Sequence, residues 1–333
     1  MRRSLIAAGL CIAGASAAPA QDRPVLTVYT YDSFVADYGP GPAIEPAFED
    51  RCGCDLKLVG AGDGAAMLSR LSLEGARSEA DVILGLDTNL IARARETGLI
   101  AGHGIEAPAL DLPVAWDDPA FLPFDWGWFA FVYDSERIGS VPGSFPELAA
   151  MPEDVKIVLQ DPRSSTPGLG LAYWVEAAYP DRAGEIWAGL SDNILTVTKG
   201  WSEAYGLFLD GEAEMVLSYT TSPAFHRATE ADPTIRAAPF EEGHYMQIEV
   251  GAMLSTADDP ALARDFLRFM LSEPFQAAIP ETNWMYPAIR PKDGLPAAFD
   301  GLVRPDESLL FPPEKAAARR DAVIETWRTA LSR

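Results

Sequence analysis

The chain has 333 residues, 48% hydrophobic and 23% charged, which is enough for about two globular domains with cores of their own. Its formal net charge is −23. So acidic a chain is a poor partner for nucleic acid or an anionic membrane surface, favours a cationic ligand at long range, and is expected to stay soluble and monomeric.

The first residues read as an export signal. Arg2 and Arg3 precede an apolar, small-residue run over 5–17, too short to span a bilayer, and Ala18-Pro-Ala20 fits a small-residue cleavage site. A frayed N-terminal helix is the plainer alternative. Cys11 lies within the apolar run, without the small residue that lipid attachment requires just before it. No later stretch reads as transmembrane, so the chain from residue 21 onward is expected free in an extracytoplasmic compartment.

The pattern over 25–31 alternates and is β-branched, predicting a strand that runs into Asp32-Ser33. A helix is predicted over 43–50, with Pro42 near its first turn. Cys52-Gly-Cys54 allows three readings. One is a local disulfide, permitted in an oxidising compartment. A metal site is the second, although only three histidines exist and none is near. A redox pair is the third, although the spacing is one residue rather than two.

A strand over 55–59 leads into Gly60-Ala-Gly-Asp-Gly64, a helix over 65–73 follows, and a strand over 80–86 ends at Asp87 before a helix over 89–97. This β-α rhythm implies a mostly parallel sheet with helices on both faces. Ligands of such sheets bind beyond the carboxyl ends of the strands, where Tyr31, Asp32, Asp63, Gly64 and Asp87 fall.

The aromatic run over 123–133 reads either as a buried core strand or as a strand crossing between two lobes. A second α/β unit then starts, with a helix over 144–150 and a strand over 156–160 that opens into Asp161-Pro-Arg-Ser-Ser-Thr-Pro-Gly168. Helices over 168–179 and 183–190 precede a strand over 195–198. Lys199-Gly-Trp-Ser-Glu-Ala-Tyr205 sets an indole at a helix start, and the strand over 215–219 ends in the hydroxyls of Tyr219, Thr220, Thr221 and Ser222. Strands over 235–240 and 245–253 follow, the second a further candidate for crossing. Apolar residues at helical spacing mark 260–271, and 316–331 is a terminal helix.

Two strand ends carry distinct chemistry. Ser165 and Thr166 before Pro167 form a helix start, read either as plain capping or as an anion site of free N–H groups and hydroxyls. Asp63-Gly64 is either another cap or a carboxylate for a cation. Tyr31, Trp201, Tyr219, Phe225 and Trp284 sit at strand ends or turns. Singly they read as core; together they suit a flat ring with a positive charge. Enzyme motifs are not met. Gly60 to Gly64 lacks the Lys-Ser/Thr of a phosphate loop, no serine sits in a nucleophile elbow, and His103, His226 and His244 share no metal-ligand spacing. Neither a cofactor nor a metal is expected.

Six blocks are more specific: Leu26-Thr-Val-Tyr-Thr-Tyr-Asp-Ser-Phe34, Ala80-Asp-Val-Ile-Leu-Gly-Leu-Asp87, Gln160-Asp-Pro-Arg-Ser-Ser-Thr-Pro-Gly-Leu-Gly170, Thr198-Lys-Gly-Trp-Ser-Glu-Ala-Tyr-Gly-Leu-Phe208, Leu217-Ser-Tyr-Thr-Thr-Ser-Pro223 and Asn283-Trp-Met-Tyr-Pro287. Together they resemble the thiamine-binding family of periplasmic solute-binding proteins over essentially the whole chain after the signal. The resemblance implies an α/β, two-lobed periplasmic-binding fold of type II, each lobe a mostly parallel sheet flanked by helices, joined by two crossing strands. The expected division is a signal peptide over 1–20, one lobe over 21–125 plus about 247–285, and the other over 126–246 plus about 286–333. The ligand implied is thiamine or its mono- and diphosphate, delivered to a membrane permease driven by an ATPase. Carried over by motif, the ligand residues are Asp63, Gly64, Ser165, Thr166, Trp201 and Tyr219 to Ser222, with Tyr31 stacking on the pyrimidine and Trp284 lining the cleft. Phe225 stands where the enterobacterial form has a tyrosine; it keeps the stacking face and loses the hydroxyl. The same fold also serves binders of ferric ion or polyamines. A ferric site favours adjacent tyrosines, whereas Tyr219 is followed by Thr-Thr-Ser; a polyamine site favours several cleft carboxylates.

Overall fold

The computed structural model describes residues 23–332. The expected export signal over 1–20, Cys11 included, lies outside them. Among the described residues no helix is long and apolar enough to cross a membrane.

The strands are β1 (Val25–Thr30), β2 (Asp55–Gly60), β3 (Val82–Asp87), β4 (Leu122–Asp134), β5 (Ile157–Gln160), β6 (Ile194–Thr198), β7 (Met215–Tyr219), β8 (Ile235–Ala237), β9 (His244–Met253), β10 (Tyr286–Pro287) and β11 (Ser308–Leu309). They follow the path β2-β1-β3-β9-β4-β7-β5-β6, with β8 and β10 paired to β4 and β11 to β9. The pairs at the two ends, β1–β2, β1–β3, β5–β6 and β5–β7, are parallel, as the β-α rhythm predicts. The centre is antiparallel, because β4 and β9 run against β3, β7 and each other.

Both long strands pass between the two halves of the fold. Leu122 to Trp128 of β4 pair with β9, and Phe129 to Tyr133 pair with β7. On β9, Glu249 to Met253 face β3 while His244 and Tyr245 pair with β11. The two readings of the aromatic run therefore hold together: β4 crosses, and it is buried along nearly its whole length. A strand covered on both faces carries a continuous apolar run rather than an alternation.

Helix ends follow local chemistry. Asp259 accepts from the N–H groups of Ala261 and Leu262 to start Pro260–Met270, whose Ala263, Phe266, Leu267 and Met270 pack against the β1–β3 half. The helix Gly41–Cys52 stops at Gly53, which is left-handed at φ 64°. Cys52 and Cys54 are joined by a disulfide across that glycine, with Cα atoms 5.1 Å apart. Asp32–Val35, which the sequence pattern left unassigned, forms a helical turn. Two expectations are corrected: the predicted strand over 235–240 stops at Ala237 two residues before Pro239, and the terminal helix starts earlier, at Pro313. Proline lacks the ladder N–H but suits a first helical turn.

Candidate ligand-binding cleft

Strands β2 and β6 lie at opposite ends of the sheet path, yet the loops after them meet. Asp63, after β2, accepts at Oδ2 from the Trp201 backbone N–H at 3.0 Å and from the Ser165 hydroxyl at 2.6 Å. Gly64 N–H donates to Thr166 Oγ1 at 3.1 Å, and Ala66 N–H to the Ser164 carbonyl at 3.0 Å. Three helix starts, at Gly64, Thr166 and Trp201, thus converge on one carboxylate. Asp63 and Ser165 occupy N-cap positions of their own helices, but neither side chain caps its own helix. Each reaches the other instead, so plain capping is corrected for both. Gly64 is required by this approach. A Cβ there would stand 2.5 Å from Thr166 Oγ1 and 3.0 Å from the Gly85 carbonyl oxygen. Burial pushes the Asp63 carboxyl up to about 6, against the bonds from Ser165 and Trp201.

Beside this junction lies a cavity of about 330 Å³. Its aromatic walls are Tyr31, Trp201, Tyr219, Phe225 and Trp284; Asp63, Gly64, Thr166 and Ser222 add polar surface. The other predicted site residues stand behind the wall. Ser165 is buried against Asp63, Thr220 is buried with its N–H on the Trp128 carbonyl, and the Thr221 hydroxyl faces Met285 Sδ at 3.7 Å.

Each aromatic is held from behind. The Trp201 indole donates to Ser218 Oγ at 2.9 Å and stacks on Tyr205, with centroids 4.8 Å apart. Tyr219 donates its hydroxyl to Gln247 Oε1 at 3.1 Å and leans on Phe129. Phe225 and Trp284 meet edge to face at 5.7 Å. Trp284 holds a left-handed backbone, φ 56°, which costs a bulky residue about 1 kcal/mol or more. Its N–H donates to the Ile279 carbonyl at 3.0 Å. The Tyr31 ring lies on Gly85, where a Cβ would come within 2.3 Å of it.

Sequence reasoning missed the floor. Glu249 lines the cavity, and Asp125 stands opposite it across the β4–β9 ladder. Tyr31 donates to Glu249 Oε2 at 3.1 Å, and Asn283 Nδ2 donates to Tyr31 Oη at 2.9 Å and Asp125 Oδ2 at 2.6 Å. Burial, then the facing Asp125, holds the Glu249 carboxyl well above its ordinary range. Burial pushes Asp125 up to about 7, against bonds from Glu249 and Asn283. The signal was present: each is a lone carboxylate within a buried apolar strand, where charge is rare unless it is partnered. Among the described residues lining the cavity there is no Lys, Arg or His. Aromatic faces, an acidic floor and no basic group suit a flat, cationic molecule.

The chain matches the bacterial extracellular solute-binding protein family over residues 31–277. It is 51% identical over 316 residues to the thiamine-binding periplasmic protein of Escherichia coli, covering 95% of this chain and 96% of that one. It is 49% identical over 319 residues to the thiamine-binding periplasmic protein of Brucella abortus, covering 96% and 95%. A solved periplasmic thiamin binding protein superposes with a TM-score of 0.91 at 50% identity, covering 98% of this chain and all of that one.

Proposed function

Since this chain belongs to the bacterial extracellular solute-binding protein family, we propose that it captures thiamine in the periplasm and delivers it to an ABC importer. One observation carries the reading: a chain half identical to thiamine-binding relatives along its length encloses a cavity of about 330 Å³ with aromatic walls and an acidic floor. Thiamine offers a flat aminopyrimidine for the aromatic faces and a permanent thiazolium charge for a cavity without basic residues. The protein binds and releases this ligand rather than converting it.

In this reading Asp63, Gly64, Thr166, Trp201, Tyr219, Ser222, Tyr31, Phe225 and Trp284 touch the ligand, and Ser165, Thr220 and Thr221 shape the wall from behind. The monophosphate and diphosphate are carried too. Residues 21–125 with about 247–285 form one lobe, and 126–246 with about 286–333 the other. They close about β4 and β9 by a hinge motion. The protein is exported on the signal over 1–20 and works as a monomer that meets a membrane permease and its ATPase.

Intrinsic tryptophan fluorescence tests the reading, with Trp201 and Trp284 as reporters. Titration with thiamine and its monophosphate should give saturable changes, and spermidine and ferric citrate none. A response to ferric citrate or spermidine with none to thiamine overturns it.

A further inference from the structure

The cavity floor can be taken hydrogen by hydrogen. Asn283 has two amide hydrogens, and they go to Tyr31 Oη and Asp125 Oδ2. Tyr31 has one phenolic hydrogen, and it goes to Glu249 Oε2. The carboxyls of Asp125 and Glu249 belong to residues directly opposite on β4 and β9. Every amide and phenolic hydrogen on the floor is engaged within it.

Acceptor capacity is left over. Asp125 is fully buried and its Oδ1 has no partner. Glu249 is 6% exposed, and that exposure is to the cavity it lines. On the other flank of Glu249, Asp87 of β3 stands opposite it, also buried and also with an unpartnered Oδ1. The titratable groups near Glu249 from the adjoining elements are thus Asp125, Asp87, Tyr31 and Tyr219, and none is cationic. A carboxyl oxygen so placed accepts from an N–H and repels a carbonyl oxygen.

We propose that Glu249 is the residue that determines specificity for the amino-bearing edge of the ligand, accepting a hydrogen bond from the exocyclic amino group of the aminopyrimidine while Asp125 and Tyr31 keep its oxygens from acting as donors. This rests on thiamine being the ligand. Stacking on Trp201 or Phe225 tolerates any flat ring. The floor supplies the discrimination that stacking lacks, because a site built to pair an N–H leaves buried acceptors unmatched when that group is absent.

The test compares thiamine with the analogue that carries a 4-oxo group in place of the 4-amino group, by calorimetric titration of the folded protein. The wild type should prefer thiamine by about tenfold or more, the loss expected when a buried acceptor meets no donor. Glu249→Gln should keep that preference, since its amide N–H can donate to the facing Asp125 and its carbonyl still accepts. Glu249→Ala should bring the ratio close to one, with thiamine weakened and the analogue little changed. The wild-type ratio needs no variant, so equal affinity for the two ligands overturns the proposal by itself. An unchanged ratio in Glu249→Ala, or an equal loss for both ligands, also overturns it while leaving thiamine binding in place. A wild type that binds neither ligand overturns the thiamine reading and this proposal with it.

Discussion

Asp63 and Trp201 follow the two strands that lie at opposite ends of the sheet path, and they are joined by a 3.0 Å hydrogen bond from the Trp201 N–H to the Asp63 carboxylate. The helix Trp201–Leu209 therefore starts on a carboxylate from the other half of the fold, which its N-terminal dipole favours. The same oxygen takes the Ser165 hydroxyl. Asp63→Ala removes both cross-cleft bonds at once. It should weaken thiamine binding by about 1–3 kcal/mol, the range for losing bonds to a charged acceptor. Asp63→Asn keeps an oxygen that can accept from both donors and should lose less. Calorimetry on the two variants checks this, and equal losses would contradict it.

Trp201 is fixed on two sides, by its indole bond to Ser218 and its stack on Tyr205. Its remaining face is free to meet a ring in the cavity. Trp201→Ala should lose more than about 1 kcal/mol of thiamine binding, in line with aromatic and cation–π contacts. Trp201→Phe should recover part of it. Calorimetric titration of both variants is the measurement, and an unchanged affinity in Trp201→Ala removes Trp201 from the ligand's contacts.

Much of this fold was legible because its signals are local. The strand over 25–31 announced itself by alternation, and those over 55–59 and 80–86 by short apolar runs closing at Gly60 and Asp87; all three appear as β1 to β3. The aromatics of the cleft were legible for the same reason, standing at strand ends rather than on continuous faces. What was not legible depends on pairing between distant segments. Asp63 reads as an N-cap in its own sequence, and only the meeting of β2 and β6 loops shows that it serves Trp201 instead. Asp125 and Glu249 are 124 positions apart and become a pair only through the β4–β9 register. The antiparallel centre has the same origin, since no local pattern states which way a crossing strand runs.

Gly64 sits where two helix starts press together. A methyl group there would meet Thr166 Oγ1 at 2.5 Å and the Gly85 carbonyl at 3.0 Å. The hydroxyl can rotate away, but the backbone oxygen cannot do so cheaply. Gly64→Ala should keep its fold while holding the halves apart, weakening thiamine binding by about tenfold, as small misplacements of a closed site do. Small-angle scattering in saturating thiamine should give a larger radius of gyration than the wild type shows under the same conditions. Identical curves and affinities would mean that the junction absorbs the methyl group.

The buried carboxyls also set a direction for stability with pH. Asp125 and Asp87 are each raised from 3.8 to about 7 by burial, and Asp63 to about 6. A carboxyl raised in the folded state holds more protons folded than unfolded between those two values. Its favourable contribution is therefore present at the acid end of that window and is lost as pH rises through about 7. The thermal midpoint of the ligand-free protein should accordingly be higher at about pH 5.5 than at about pH 8, by a few degrees for a domain of this size. The net charge of −23 pushes the same way, because acidification relieves self-repulsion. Asp125→Asn separates the two contributions. It removes one titrating group from the floor but changes the overall charge by only one, and its side-chain oxygen can still accept from Asn283. The difference between the two midpoints should shrink in this variant, most of all through a higher midpoint at pH 8. A pH profile parallel to the wild type would assign the effect to overall charge and release Asp125 from it.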